Sequence, residues 1–354
     1  MLIVVPCPPT RWADCGQLWR EQLSQPRSAS LPPASVPWTV TRPAESTAIN
    51  EYEWLQQNAA EHVALLADHG AIHFRGLKLP ETVDGFCRFC EALPFVPCDD
   101  PLASVRVRAI LSKSRGLYEA VNAPSLANTY IGLHNDATLK KTAPFAAFVC
   151  LQPATEGGEF LLADGSRVLQ SLDPDVLQRL CERQMRVRVA RLPVPPLLHV
   201  GPLRPPLEQL LATIVQAALG VATPLDLEVV PTTSNESPAL QIFERSKPPV
   251  NRHPRTREPS FFSGIHSQSR YLQSRRPGLR FEGVASTDVL YGDFGAIPEA
   301  DLVQIEGAVL KNVVWVRMQK GDVVLLDSYR MLHGRDVFQG PRQHAVRWMT
   351  SDDF

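Results

Sequence analysis

The sequence predicts an α+β protein built around a β-sandwich or jelly roll, and three observations carry that reading. In the last third, short apolar runs (Val313-Val314-Trp315-Val316, Val323 to Asp327, His344 to Met349) are separated by Gly and Pro turns, not by helices. Pro is used 32 times in 354 residues, which favours loops and strand edges over long helices. Helical patterns cluster early and in the middle of the chain, away from those strands.

Composition narrows the class. Hydrophobic residues make up 44% and charged residues 21%, as in a folded globular protein. The length suits one large domain or two small ones; a single domain over 1–354 is the expectation. A net charge of −1 gives no reason to expect nucleic acid or an anionic membrane as partner. Met1 to Pro6 is apolar but too short, and lacks the leading positive charge, to read as a signal peptide. The longest apolar stretch, Gln209 to Leu225, is interrupted by Gln216 and Pro224 and reads as a buried amphipathic helix. A cytoplasmic protein is expected. Seven cysteines without framework spacing imply reduced thiols. Cys87 and Cys90 form a C-x-x-C, yet Val83, Phe86, Cys87, Cys90 and Leu93 repeat at helical spacing, so both read as buried helix residues.

Taken in order, residues 1–50 are rich in Pro and Ser and should wrap the surface. Glu51 to His69 carries an apolar stripe ended by Gly70, one helix with a glycine stop. Ala71 to Gly76 alternates as a strand, with His73 on its polar side as a structural or exposed histidine. A second helix should begin near Pro80. Asp99 to Ile131 has poor periodicity and holds Tyr118, Asn122 and Tyr130, potential ligand contacts of a lid or substrate loop. Two apolar runs, Pro144 to Leu151 and Phe160 to Asp164, flank Gly157-Gly158 and read as a hairpin. From Asp173-Pro174 to residue 280 an α/β insertion and lid is expected: a helix to Arg183, a strand at Met185 to Val189 with arginines outward, a helix at Pro206 to Gly220 and a strand at Leu225 to Val230. Residues 245–280 are basic; the sequence allows a solvated loop or one whose arginine meets an anionic substrate group. Within it, Ser260 to His266 reads as a short buried strand.

The chemistry starts at Gly132-Leu133-His134-Asn135-Asp136. On a strand, side chains two apart share a face, so His134 and Asp136 converge as two thirds of a 2-His-1-carboxylate metal site. The third ligand should come from another strand, and His333, after an apolar strand and before Gly334, is the candidate. Such a triad leaves three positions open, which suits non-haem Fe(II), whereas zinc prefers four tetrahedral ligands. Arg342 and Arg347, nine and fourteen residues beyond His333, could hold a dicarboxylate in a bidentate pair.

These residues resemble the taurine-dioxygenase-like family of Fe(II)/2-oxoglutarate-dependent oxygenases, in the branch associated with specialised metabolites. The resemblance runs through Gly132 to Asp136, Pro153 with Gly157-Gly158-Glu159, Ala163-Asp164 and Phe261-Phe262. It continues through Tyr291-Gly292-Asp293, Gly321 to Asp327, and His333-Gly334-Arg335 with Phe338, Gly340 and Arg342, covering about residues 60–350. It implies a clavaminate-synthase-like double-stranded β-helix (a jelly roll) with flanking helices. It also implies Fe(II) on His134, Asp136 and His333, with Arg342 holding the distal carboxylate of 2-oxoglutarate. Arg347 is the second choice for that role, or a substrate-carboxylate contact. Phe160 stands where the family often has a threonine that helps bind 2-oxoglutarate, and Ser328 where asparagine is common. Asp136 disfavours halogenation, which relatives achieve with a small residue there.

The expected reaction is hydroxylation of an unactivated C–H bond of a small, amino-acid-like or other anionic molecule, with O₂ consumed and succinate and CO₂ formed. Asn122, Tyr130 and Phe262 are the substrate-contact candidates. Desaturation or cyclisation by the same cofactor chemistry is an alternative. A metal-dependent hydrolase, or a non-catalytic metabolite-binding member of the fold, is another.

Overall fold

The computed structural model describes residues 4–9, 36–42, 48–101, 110–120, 122, 124–136, 140–194, 204–232, 238–276 and 288–352. Most of the expected N-terminal wrap, and Arg280 of the basic segment, lie outside those residues.

Two sheets form the core. The larger runs in the order Trp38–Thr41, Ala71–Arg75, Val323–Asp327, Phe145–Gln152, Gln343–Thr350, Leu117–Glu119, Ile110–Ser112, and Val96–Cys98 also pairs with Gln343–Thr350. The smaller runs Val314–Val316, Phe160–Asp164, Met331–Arg335, Ile131–His134. Strand alternation assigns each face. Along Phe145–Gln152, Phe145, Ala147, Val149 and Leu151 pack against the early helices, while Ala146, Phe148 and Cys150 turn to the space between the sheets. From the smaller sheet, Phe160, Leu162 and Met331 enter that space; Leu161, Ala163 and Leu332 face outward into a third cluster under later helices. This is the jelly roll, with helices on both outer faces.

The Gly157-Gly158 stretch does not close a hairpin. Phe145–Gln152 belongs to the larger sheet and Phe160–Asp164 to the smaller, so the chain crosses between sheets there. Both glycines have positive φ (64° and 74°), and Glu156–Gly157 pairs with Phe338–Gln339 to brace the corner. Two apolar runs across a glycine pair look the same whether they share a sheet or face one another.

Other expectations shift locally. The helix expected over 51–69 is two helices, Ala48–Gln57 and Ala59–His69, broken at Asn58, whose side chain donates to the Trp54 carbonyl. Pro80 lies in a single 3₁₀ turn, Leu79–Glu81; the helix proper is Val83–Glu91, capped by the Thr82 hydroxyl accepting from Gly85 N–H. Cys87 and Cys90 are buried on that helix. His73 is buried and bonded to Asp322 at 3.0 Å.

The insertion carries the helix Pro174–Arg183, capped by Asp173, the helix Arg204–Ala222, and three strands of a separate sheet, Leu227–Pro231, Ala239–Glu244 and Met185–Pro193, whose edge is completed by Asp288–Tyr291 from beyond it. Arg186 does not point outward: it is buried, ion-paired to Glu228 at 3.0 Å and stacked 4.0 Å over the Phe294 ring. Ser260 to His266 is a strand only over Pro259–Phe261; His266 lies in a short helix, Ile265–Gln268. Among the described residues no helix is long and apolar enough to cross a membrane.

Candidate active site

His134 and His333 are direct partners across antiparallel strands, in the register His333 opposite His134. Their ring centroids are 4.6 Å apart. His134 Nδ1 lies 2.9 Å from the Gly132 carbonyl. A carbonyl only accepts, so Nδ1 carries a proton, which leaves Nε2 as the nitrogen a metal could use. His333 is walled by Phe148 (5.6 Å) and Phe160 (6.3 Å, near-parallel). The paired imidazoles fit a metal centre in kind. The Asp136 carboxylate does not join them as the chain lies: among the described residues, no three His, Cys, Asp or Glu side chains are gathered to hold a metal.

The residue between the two candidates is the anchor. Asn135 Nδ2 donates to the carbonyls of Ser328 (3.2 Å) and Met331 (3.0 Å), and its Oδ1 accepts from Ser263 N–H. The strand end bearing His134 is thereby tied to the His333 strand and to the insertion. Sequence reasoning passed over Asn135, since a lone asparagine in a strand carries no periodic signal.

The two candidate arginines part by strand parity. Arg347 shares a face with Ala345 and Met349 of the helix-side cluster; it is 1% exposed, donates to the Cys87 carbonyl at 2.9 Å and lies 3.8 Å from Glu91. It is directed away from the imidazoles. Arg342 precedes a bulge at Gln343/His344 and donates to the Ala120 carbonyl (3.0 Å) and Asn122 Oδ1 (2.9 Å). Arg335, on the face of its strand that carries His333, donates to the carbonyls of Leu126 and Thr129 and stacks 4.8 Å over Phe338. Burial, then the like charge of Arg335, pulls Arg342 down to about 9, and burial pulls Arg335 down to about 10. The two guanidiniums thus share a desolvated region where a carboxylate would be favoured.

Of the substrate candidates, Asn122 serves Arg342 and the His344 backbone. Phe262 is 1% exposed and stacked on Tyr329 at 5.6 Å, a packing residue. Tyr130 adjoins the His134 strand and lies 4.5 Å beneath the Arg276 guanidinium. His266, whose Nδ1 accepts from Leu133 N–H and whose Nε2 is 2.6 Å from Arg276, links them; burial, then Arg276 and His134, push it down to about 3. Several motif residues prove to be braces: Asp164 caps the helix Gly165–Ser171 and pairs with Arg330, and Asp293 pairs with Arg183.

A jelly roll with paired histidines on neighbouring antiparallel strands and a buried arginine beyond the second fits the class of 2-oxoglutarate-type oxygenases. The family model described as "Taurine catabolism dioxygenase TauD, TfdA family" matches residues 37–349. The chain therefore belongs to that family, and is an Fe(II)- and 2-oxoglutarate-dependent oxygenase that uses O₂. The dapdiamide synthesis protein DdaC of Enterobacter agglomerans is 25% identical over 292 residues, 80% of this chain and 82% of that one. Human mitochondrial trimethyllysine dioxygenase is 42% identical over 43 residues, 12% of this chain and 10% of that one. The PvcB structure from Pseudomonas aeruginosa aligns with a TM-score of 0.46 and 18% identity, covering 98% of this chain and 91% of that one.

Proposed function

We propose that this oxygenase hydroxylates an unactivated C–H bond of a small anionic or amino-acid-like biosynthetic intermediate, releasing succinate and CO₂. The observation that carries the reading is the registered His134–His333 pair, with His134 Nδ1 held by the Gly132 carbonyl. DdaC, the relative matched over most of the chain, is described as a synthesis protein for the metabolite dapdiamide, which supports a biosynthetic substrate.

In this reading His134 and His333 would hold Fe(II), with Asp136, two residues beyond His134, as the carboxylate of the set. When bound, Fe(II) and 2-oxoglutarate supply the oxidising chemistry on O₂. The chain's own residues do the rest. Gly132 fixes the His134 ring, and Phe148 and Phe160 exclude water from around His333, with Trp348 packed behind Phe148. Arg342 receives the distal carboxylate of the co-substrate, and Asn122 keeps its guanidinium aimed. The described part of the insertion, through Ser263 and His266 against the His134 strand, is the candidate substrate wall. Arg276, joined to the metal strand through His266 and Tyr130, is its candidate contact for the substrate anion.

Anaerobic addition of Fe(II) and 2-oxoglutarate should give the weak visible charge-transfer band of the chelate, and His333→Ala should abolish it. A wild-type protein without that band overturns the reading. Mass-spectrometric screening of amino acids and pathway intermediates for a gain of one oxygen identifies the substrate.

A further inference from the structure

His344 is the second inward-facing polar side chain beside Arg342. Its strand partner is Cys150, a residue of the inter-sheet cluster, so strand parity turns the imidazole to the side where Val346 and Trp348 line the interior. Its backbone is held on both sides by one amide: His344 N–H donates to Asn122 Oδ1 at 3.0 Å, and Asn122 Nδ2 donates to the His344 carbonyl at 2.7 Å. The side chain is 3% exposed, and its Nδ1 is buried without a hydrogen-bond partner. Leaving such an atom unpaired is costly, and beside two guanidiniums an incoming anion is a fitting partner for it. Burial, and then the charges of Arg342 and Arg335, hold the ring neutral, well below the usual imidazole range. A neutral imidazole carries one N–H to donate.

We infer that His344 is a co-substrate-binding residue: its Nδ1–H donates to the distal carboxylate of 2-oxoglutarate while Arg342 pairs with the same group. This rests on the proposed carboxylate site and adds a second donor to it. The observations favour a carboxylate over a neutral polar group, since two guanidiniums, Arg342 and Arg335, act on the same ring and would attract an anion beside it. They also give the site a length requirement. A 2-oxo acid without the distal carboxylate would lack the group that meets His344.

The test compares His344→Leu with His344→Asn, two side chains of nearly equal size of which only Asn keeps a donor near the Nδ1 position. Binding is read by anaerobic calorimetry of the Fe(II)-loaded protein with 2-oxoglutarate and, separately, with 2-oxobutanoate; circular dichroism checks the fold. Leu should weaken 2-oxoglutarate binding about tenfold or more, Asn should stay within about threefold of wild type, and 2-oxobutanoate should be insensitive to both. If His344→Leu does not fold, His344→Phe carries the same expectation. Unchanged 2-oxoglutarate affinity in the Leu variant, or an equal loss for both oxo acids, overturns the inference. Arg342→Ala separates the two levels: if it weakens 2-oxoglutarate and His344→Leu does not, only the His344 role fails. If neither does, the carboxylate site itself is wrong.

Discussion

Asn122 Oδ1 stands 2.9 Å from Arg342 Nη1 and accepts the His344 backbone N–H as well, so one buried amide aligns an arginine and the strand beyond its bulge. The sequence suggested Asn122 as a substrate contact; its bonds make it a positioning residue for the cation. Asn122→Asp replaces that amide with a carboxylate beside Arg342, an internal competitor for the co-substrate. Its affinity for 2-oxoglutarate should fall about tenfold or more, with little change in substrate affinity once the co-substrate is saturating. Equal or tighter 2-oxoglutarate binding in calorimetry would contradict this role.

The arginines should separate by phenotype. Arg342→Ala should raise the 2-oxoglutarate requirement sharply with a modest loss of stability. Arg347→Ala should leave the requirement unchanged but lower stability by about 1–3 kcal/mol, because the Cys87 carbonyl loses its buried donor. Urea unfolding and co-substrate titration on both proteins read the contrast, and a reversed pattern shows that Arg347 serves the co-substrate.

Gly132 is a second pressure point. A Cβ there would lie 2.8 Å from both the His266 carbonyl oxygen and Ser267 Cα, backbone atoms that cannot swing aside. Gly132→Ala should displace the strand edge, loosen the carbonyl that orients His134, and cost about 1–3 kcal/mol. Mn(II) titration followed by electron paramagnetic resonance should show weaker metal binding; wild-type affinity would mean that the carbonyl does not orient the ligand.

Asp322 makes a pH prediction. Burial by itself would raise its carboxyl, but hydrogen bonds from His73, Gln319 N–H and Gly76 N–H hold it below the usual carboxylate range. A depressed carboxylate contributes stability that is complete above its unfolded value of about 3.9 and is lost as pH falls through the folded value. Asp322→Asn should therefore be less stable by about 2–3 kcal/mol near neutral pH, with the gap narrowing below about pH 4. A gap constant with pH would show that the bonds, not the charge, matter.

How much was legible can be argued residue by residue. The pairing of His134 with His333 was readable because period-two strands and a Gly after the second histidine constrain both rings. Arg342 and Arg347 were separable in principle, since Arg347 shares parity with Ala345 and Met349 while Trp348 takes the opposite face. That argument needs the strand to start after the bulge at Gln343/His344, which no composition signal marks. Arg186 was read outward from its alternation, yet the aromatic Phe294 and the acidic Glu228 that bury it come from distant segments.

The sequence by itself determined the class of fold, and it put His134 and His333 on strands and an arginine beyond them, because local periodicity, turn residues and spacing act within a few positions. Only the tertiary structure decided that Gly157-Gly158 turns a corner between sheets. It also decided that Asn135 ties three segments together, and that Arg335, Arg342 and His344 gather in one desolvated region. Those outcomes depend on which sheets face each other and on long-range hydrogen bonds to buried groups, and residues far apart in the chain carry no local trace of them.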